Sequence, residues 1–281
     1  MISPRSVLIT GASSGIGAAL AEAYAEPGRR LSLFGRDTIR LEAVAERCRA
    51  AGAEAGVFAV DVTERTELAA RMAEAVAGLP DQRLDLVLAN AGVSGGTGDA
   101  AGEDKSLESA TQTRRLFAIN IDGTVNTVLN AVALMRQQAP IVIAGTPPWR
   151  GQIAIVSSLA GFRGFAGAPA YAASKAAMKV WGEGLRGALA REQIRLSVVC
   201  PGFVRTPMTA DNPFPMPFLM DAEPAAQLIK RRLAANKARI AFPFGLYALA
   251  WLTAALPPSW LDPLIARLPA KPARRQDHHS V

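Results

Sequence analysis

The chain has 281 residues, half of them hydrophobic and 20% charged, with mean hydropathy +0.16. This is a globular composition that leans apolar and fits a single α/β domain with a large core. The net charge of +7 is spread out, and its densest clusters, Lys230 to Arg232 and Lys271 with Arg274 and Arg275, lack zinc-finger spacing or interleaved aromatics, so nucleic-acid binding is not expected.

The predicted elements alternate. Val7-Leu8-Ile9 reads as a buried strand, 16–25 as an alanine-rich helix, and 30–34 as a second strand. A helix over 38–51 follows, with Ile39, Leu41, Val44 and Ala45 as its expected buried face. Residues 57–60 read as strand three, 64–77 as a helix, and 84–88 as strand four. The polar, glycine-rich stretch from Ser94 to Lys105 reads as a loop. Helical spacing then runs over 107–135, on both sides of Asn120. Residues 141–151 carry Gly145, Pro147 and Pro148 and read as an inserted loop, expected to shape the entrance to a site. Residues 153–156 are strand five, 170–192 a long helix, and 195–199 strand six. The proline-rich segment 201–217 reads as a substrate lid, and 225–236 as a further helix. This alternation predicts a doubly wound, Rossmann-type α/β fold with a parallel sheet and helices on both faces.

Cys48 and Cys200 fit no metal or redox spacing, and Cys200 sits in an apolar run that reads as core. His278 and His279 lie in the last four positions and read as tail, so no metal site is expected. The first residues show no basic-then-apolar targeting pattern, and a cytoplasmic location is expected.

Thr10-Gly11-Ala12-Ser13-Ser14-Gly15-Ile16-Gly17 follows the first strand and opens the first helix. In that context Gly11 permits a tight turn, Gly15 lets backbone approach a pyrophosphate, and Gly17 allows close helix–sheet packing. The helix N-terminus offers free N–H groups and a favourable dipole for phosphate. The second strand ends in Phe34-Gly35-Arg36-Asp37. Arg36 suits a 2′-phosphate and favours NADP, while Asp37 either contacts a ribose, favouring NAD, or caps the following helix. NADP is the expected cofactor, with NAD as the alternative.

Tyr171 and Lys175 are four apart on a predicted helix and therefore share a face. An ammonium beside a phenol stabilises the phenolate and lowers the tyrosine pKa toward the range of a working acid or base.

From Val7 to Met208 the chain resembles the short-chain dehydrogenase/reductase family. Thr10 to Gly17 is similar to its Thr-Gly-x-x-x-Gly-x-Gly turn, Asp61-Val62 to its adenine-side segment, and Asn90-Ala91-Gly92 to the motif after strand four. Asn120, and Ser158 thirteen residues before Tyr171, stand where the family has its catalytic asparagine and serine. Pro201-Gly202, with Val204 and Thr206, resembles its nicotinamide-side segment. Ala89 departs from the asparagine often found there.

The resemblance implies that Tyr171 exchanges a proton with a carbonyl or alcohol oxygen, and that Ser158 positions that oxygen. It implies that Lys175 holds the nicotinamide ribose and depresses the Tyr171 pKa, while Asn120 binds a water that relays protons. Ser157 should face away from Ser158. Val204 and Thr206 would hold the carboxamide. A homodimer or homotetramer is expected.

Phe203, Met208, Phe214, Met216, Phe218 and Met220 suggest an apolar substrate wall. From Ile240 to Leu256 the chain is apolar except for Thr253, but at seventeen residues it falls short of the ~20 needed to cross a bilayer. Residues 240–281 are read as an apolar extension with a basic tail, appended to a dinucleotide-binding and catalytic domain over 1–239. Trp260, Leu261, Leu264, Ile265 and Leu268 form a second amphipathic piece of it. The extension covers substrate, contacts another subunit, or lies on the inner membrane face through 240–275, helped by Arg267, Lys271, Arg274 and Arg275. The expected function is NADP-linked interconversion of a carbonyl and an alcohol. A membrane-surface lipid or steroid ketoreductase and a non-catalytic nucleotide-binding regulator are the alternatives.

Overall fold

A computed structural model describes residues 3–79, 81–97, 108–164, 167–210, 212, 214–257 and 259–261. Most of the expected glycine-rich loop and the basic, histidine-containing tail lie outside these residues.

The elements run β1 (Ser6–Thr10), α1 (Gly15–Tyr24), β2 (Arg30–Gly35), α2 (Thr38–Ala50), β3 (Glu54–Ala59), α3 (Arg65–Ala77) and β4 (Leu86–Ala89). Then come α4 (Ala110–Phe117), a π-helical turn (Ala118–Asp122), α5 (Gly123–Arg136), β5 (Ile141–Ile143), β6 (Thr146–Trp149) and β7 (Gly151–Val156). After a short 3₁₀ turn at Leu159–Gly161, α6 (Pro169–Arg191) and β8 (Ile194–Pro201) complete the central crossover. The last described elements are β9 (Val204–Arg205), β10 (Met220–Asp221), α7 (Ala222–Ala234), β11 (Arg239–Phe242) and α8 (Phe244–Ala255).

Seven strands form one parallel sheet in the order β11-β8-β7-β4-β1-β2-β3. β1 to β3 build outward on one side, and β4 returns to the other side of β1. Strand order therefore reverses between β1 and β4, and a crevice opens at the carboxyl ends of the strands there. β1, β4 and β7 are buried at every position, as expected of a sheet covered on both faces. Two apolar clusters result. One packs α1, α2 and α7 on one face of the sheet, and the other packs α3, α5 and α6 on the opposite face.

Four expectations change. α2 buries Leu41, Val44, Ala45 and Cys48, while Ile39 is 85% exposed. The buried stripe follows the helical period from Leu41, and Ile39 lies off it. The insertion at 141–151 is no loop. β5 and β6 form an antiparallel hairpin, with Trp149 buried between the Arg83 and Arg195 guanidinium groups. It leads into the amino end of β7, so it lies at the end of the sheet opposite the crevice and does not shape the entrance. The helical run around Asn120 is two helices joined by the π-helical turn. Finally, the division at 239/240 runs through β11, whose residues 239–242 pair with Val198 to Pro201 of β8. Residues 240–242 thus complete the sheet, and the extension begins only at Pro243.

Among the described residues, one helical run, Ala110–Arg136, is long and apolar enough to cross a membrane, but half of its apolar window is buried inside the protein and it carries Asn120 into the core. Both cysteines are buried free thiols, and burial pushes their pKa values up to about 11 for Cys48 and about 12 for Cys200.

Candidate active site

The crevice is built first by the loops that follow β1 and β4. Gly11 and Gly15 adopt φ values of 67° and 57°, a region that L side chains avoid. A Cβ on Gly17 would stand 2.1 Å from Gly11 O and 2.6 Å from Asn90 Nδ2. Only glycine therefore lets α1 start this close to the sheet. The N-cap of α1, Ser14, makes no side-chain cap bond, so the first amides of the helix have no helical partner. Ser14, Gly15 and Ile16 line the crevice beside them. Such a site suits a phosphate.

Asn90 holds the two loops together. Its Nδ2 donates to Thr10 O and Gly11 O, both at 3.1 Å, while Thr10 Oγ1 accepts the Asn90 and Ala91 amides. Thr206 reaches across from the segment after β8, with its Cγ2 3.1 Å from where a Gly15 Cβ would be. The expected cofactor residues Gly11, Ser13, Ser14, Gly15, Ile16, Arg36, Asp61, Val62, Asn90, Ala91, Gly92, Pro201, Gly202, Val204 and Thr206 all line this crevice. Gly17 lies behind it as a packing residue.

At the far end of β2, Asp37 caps α2, with Oδ1 accepting Arg40 N at 2.9 Å, and its carboxylate pairs with Arg40. Asp37 is therefore a capping residue and does not line the crevice. Arg36 does line it, exposed and 3.5 Å from the Asp61 carboxylate. Asp61 Oδ1 is held by the amide and hydroxyl of Thr63, both at 2.9 Å.

Tyr171, Lys175, Ser157 and Ser158 line the other end of the crevice. The Ser158 hydroxyl acts on the Tyr171 phenol in the sense that favours its ionised form, and Ser158 Oγ accepts the Ala160 amide and reaches Pro201 O. Ser157 Oγ is engaged elsewhere, donating to Lys175 O at 2.6 Å, in keeping with the expected alternation of an extended segment. That bond ties the end of β7 to the middle of α6. Gly161 presses on the same helix, where a Cβ would stand 2.7 Å from Lys175 C.

Lys175 is buried, with Nζ donating to Val156 O at 3.0 Å and lying 5.8 Å from the Tyr171 ring centroid. Burial draws its pKa down to about 8. Tyr171 differs from the expectation of a depressed pKa. Burial pushes the phenol up, and the Ser158 hydroxyl offsets this only in part. The ammonium faces a backbone carbonyl in this arrangement, so desolvation of the phenol outweighs its attraction.

Asn120 lies behind the crevice, on the π-helical turn. Its Nδ2 donates to Val93 O and Ser174 Oγ, each at 3.0 Å, and its Oδ1 accepts Val93 N at 2.8 Å. The side chain is thus engaged in holding the loop after β4 against α6. A Cβ on Gly92 would approach both Asn120 Oδ1 and Lys175 Nζ, at 3.1 and 3.3 Å.

Of the six apolar wall residues expected, Met208 alone lines the crevice. Phe203 and Phe214 pair with each other at 6.2 Å, Phe218 faces outward, and Met220 packs on the core. Sequence reasoning missed Val60, Val93, Ile119, Pro207 and Thr209 as lining residues. It also missed Glu108. The N-cap position of α6, Ala168, has no side chain to accept a bond, and Glu108 Oε2 accepts the Ala170 amide at 2.7 Å from across the loop. No local signal announces a cap supplied 62 residues away.

A family model described as short chain dehydrogenase matches residues 5–214. An uncharacterized oxidoreductase of Myxococcus xanthus is 37% identical over 95% of this chain and 98% of its own length. A putative ketoacyl reductase of granaticin polyketide synthesis from Streptomyces violaceoruber is 34% identical over 72% of this chain and 68% of its own. Among solved structures, a short-chain dehydrogenase from Sphingobium yanoikuyae in complex with NADPH superimposes with a TM-score of 0.71 at 25% identity, covering 96% of this chain and 98% of that one. The chain belongs to the short-chain dehydrogenase/reductase family and is an oxidoreductase.

Proposed function

We propose that this protein interconverts a carbonyl and an alcohol with NADP(H), using Tyr171 as the proton-transfer group. The observation that carries the reading is the convergence of Ser158, Tyr171 and buried Lys175 in the same crevice as the glycine-lined phosphate site. When bound, the nicotinamide supplies or accepts the hydride. The chain supplies proton transfer, orientation and electrostatics.

In reduction, the Tyr171 hydroxyl gives its proton to the substrate oxygen. In oxidation, Tyr171 takes that proton back. Ser158 holds the substrate oxygen beside the phenol, because its hydroxyl is already fixed by the Ala160 amide. Lys175 presents a cation at the base of the site, and α6 sets its spacing from Tyr171. Asn120 positions the loop after β4 and, through Ser174, the helix that carries both residues. The raised phenol pKa keeps Tyr171 protonated at neutral pH, the form that reduction needs.

The NADP preference rests on Arg36, which lines the crevice where an acidic residue would select NAD, while Asp37 is engaged as a helix cap. Solved neighbours hold either cofactor, NADPH in one and NAD in another, so the preference rests on Arg36 itself. The test is turnover of a carbonyl and alcohol panel with each cofactor. NADPH is expected to be preferred, and Arg36→Glu to lose about 10- to 100-fold of that preference. A native preference for NADH overturns the Arg36 reading, and no turnover with either cofactor overturns the activity.

A further inference from the structure

α8 is apolar on all sides, and the chain carries no charged residue from Phe244 to Leu261. Its inner side is fixed to the domain. Tyr247 meets Phe162 edge-on at 5.6 Å, and Arg239 Nη1 donates to Tyr247 Oη at 3.2 Å. Arg163 Nη1 donates to Thr253 O at 2.7 Å and Leu256 O at 3.0 Å, so the last carbonyls of the helix are satisfied from the protein side. The helix is therefore held in one orientation and its outer face is presented to solvent.

That face is large for a surface of this kind. Phe244, Leu249, Trp251 and Leu252, with Trp260 beyond the helix, are between 54 and 80% exposed. Phe218, 67% exposed, extends the patch, because its ring lies 3.8 Å from where a Gly245 Cβ would stand. The patch also adjoins the crevice, where a Cβ on Gly202 would stand 2.8 Å from Leu246 Cδ2. An all-apolar helix with half of its circumference open needs a covering.

We propose that this face docks on an anionic lipid bilayer. Two observations select that occupant. The exposed side chains are tryptophan, phenylalanine and leucine, the set that inserts at the lipid interface. The sequence that follows, residues 262–281, carries Arg267, Lys271, Arg274 and Arg275 against Asp262 and Asp277, a positive balance next to an uncharged apolar face. Docked this way, the crevice opens beside the bilayer, and its carbonyl substrate is an apolar one drawn from the lipid phase. The substrate clause rests on the proposed reductase activity, while the docking does not.

The experiment is flotation of the full chain with vesicles of phosphatidylcholine alone or mixed with phosphatidylglycerol, without cofactor or carbonyl. Binding to the mixed vesicles is expected, weaker to phosphatidylcholine alone and weaker in high salt. Trp251→Glu with Leu252→Glu should lower it at least about tenfold while turnover of a water-soluble carbonyl stays unchanged. Leu249→Ser should lower it less, and Arg274→Glu with Arg275→Glu should remove the preference for the anionic lipid. No binding to mixed vesicles at low salt overturns the docking, as does binding that the Trp251/Leu252 variant leaves intact. A concentration-dependent dimer that this variant dissociates also overturns it. A vesicle-bound enzyme that turns over soluble ketones no slower than membrane-partitioned ones overturns the substrate clause and leaves the docking in place.

Discussion

The crevice between β1 and β4 and the surface formed by α8 are held by opposite means. At the crevice, hydrogen bonds made by Asn90, Thr10, Ser157 and Asn120 lock backbone loops to one another, and glycines remove Cβ atoms that would keep them apart. On α8 no residue is fully buried, and what fixes the helix is two arginines, one aromatic contact and the packing of Leu246, Tyr247 and Ala250 on the core. The first region tolerates almost no change in shape, because its chemistry depends on atoms placed to within a few tenths of an ångström. The second tolerates much, because apolar contact with a fluid phase is non-directional.

Substitutions in the first region should therefore have large effects and those in the second small ones on soluble turnover. The largest is Tyr171→Phe. It removes the proposed proton donor and should lower kcat by about 10²- to 10⁴-fold, with cofactor binding retained, as measured by steady-state kinetics and NADPH titration. The same phenol sets the pH dependence. Because burial raises its pKa, reduction should hold steady at neutral pH and fall as Tyr171 loses its proton at alkaline pH, while oxidation should rise over that range. Parallel profiles in the two directions would remove Tyr171 from the proton-transfer role.

Gly17→Ala comes next. With Gly11 O 2.1 Å from the new Cβ and Asn90 Nδ2 2.6 Å away, α1 must move off the sheet. The expected cost is about 2–4 kcal/mol in denaturant unfolding, with nucleotide affinity lost as well.

Lys175→Met should separate stability from activity. The folded pKa of Lys175, about 8, lies below its ordinary 10.5. The folded state therefore binds fewer protons than the unfolded chain between those values, so stability rises with pH across that window and the buried ammonium costs stability at pH 7. Removing it, less the lost bond to Val156 O, should gain about 1–2 kcal/mol and raise Tm by roughly 3–6 °C while turnover collapses. A lower Tm at pH 7 would show that the bond matters more than the burial of charge.

The smallest effect tests a cap. Glu108→Ala should cost about 1 kcal/mol by leaving the Ala170 amide bare and should raise KM and lower kcat together, while Glu108→Gln, which keeps an acceptor, should restore both. Leu249→Ser on α8 should change soluble turnover by less than either.

The sheet, its crossover helices and the crevice residues carried by motifs were legible in the sequence, because each rests on a local pattern. A glycine trio between strand and helix, a Tyr-x-x-x-Lys pair on one helical face and apolar runs with strand spacing all carry their geometry within a few residues. The end of the second strand left Asp37 with two readings, ribose contact or helix cap, and it took the Arg40 amide to show that Asp37 caps α2. The hairpin at 141–149 read as a loop at the entrance because its prolines and glycine mark turns. Nothing in that pattern says at which end of the sheet it lies. Phe203, Phe214 and Phe218 read as a substrate wall by type alone, yet they pair, pack or face outward. Tertiary structure likewise brought Glu108 to the N-terminus of α6 and turned the Lys175 ammonium toward Val156 O, so that burial dominates the phenol. The division has a physical cause. Backbone hydrogen bonding and side-chain periodicity act over a few residues and are written in the local sequence, whereas desolvation, cross-loop caps and the direction an apolar face points depend on which distant segments the sheet brings together.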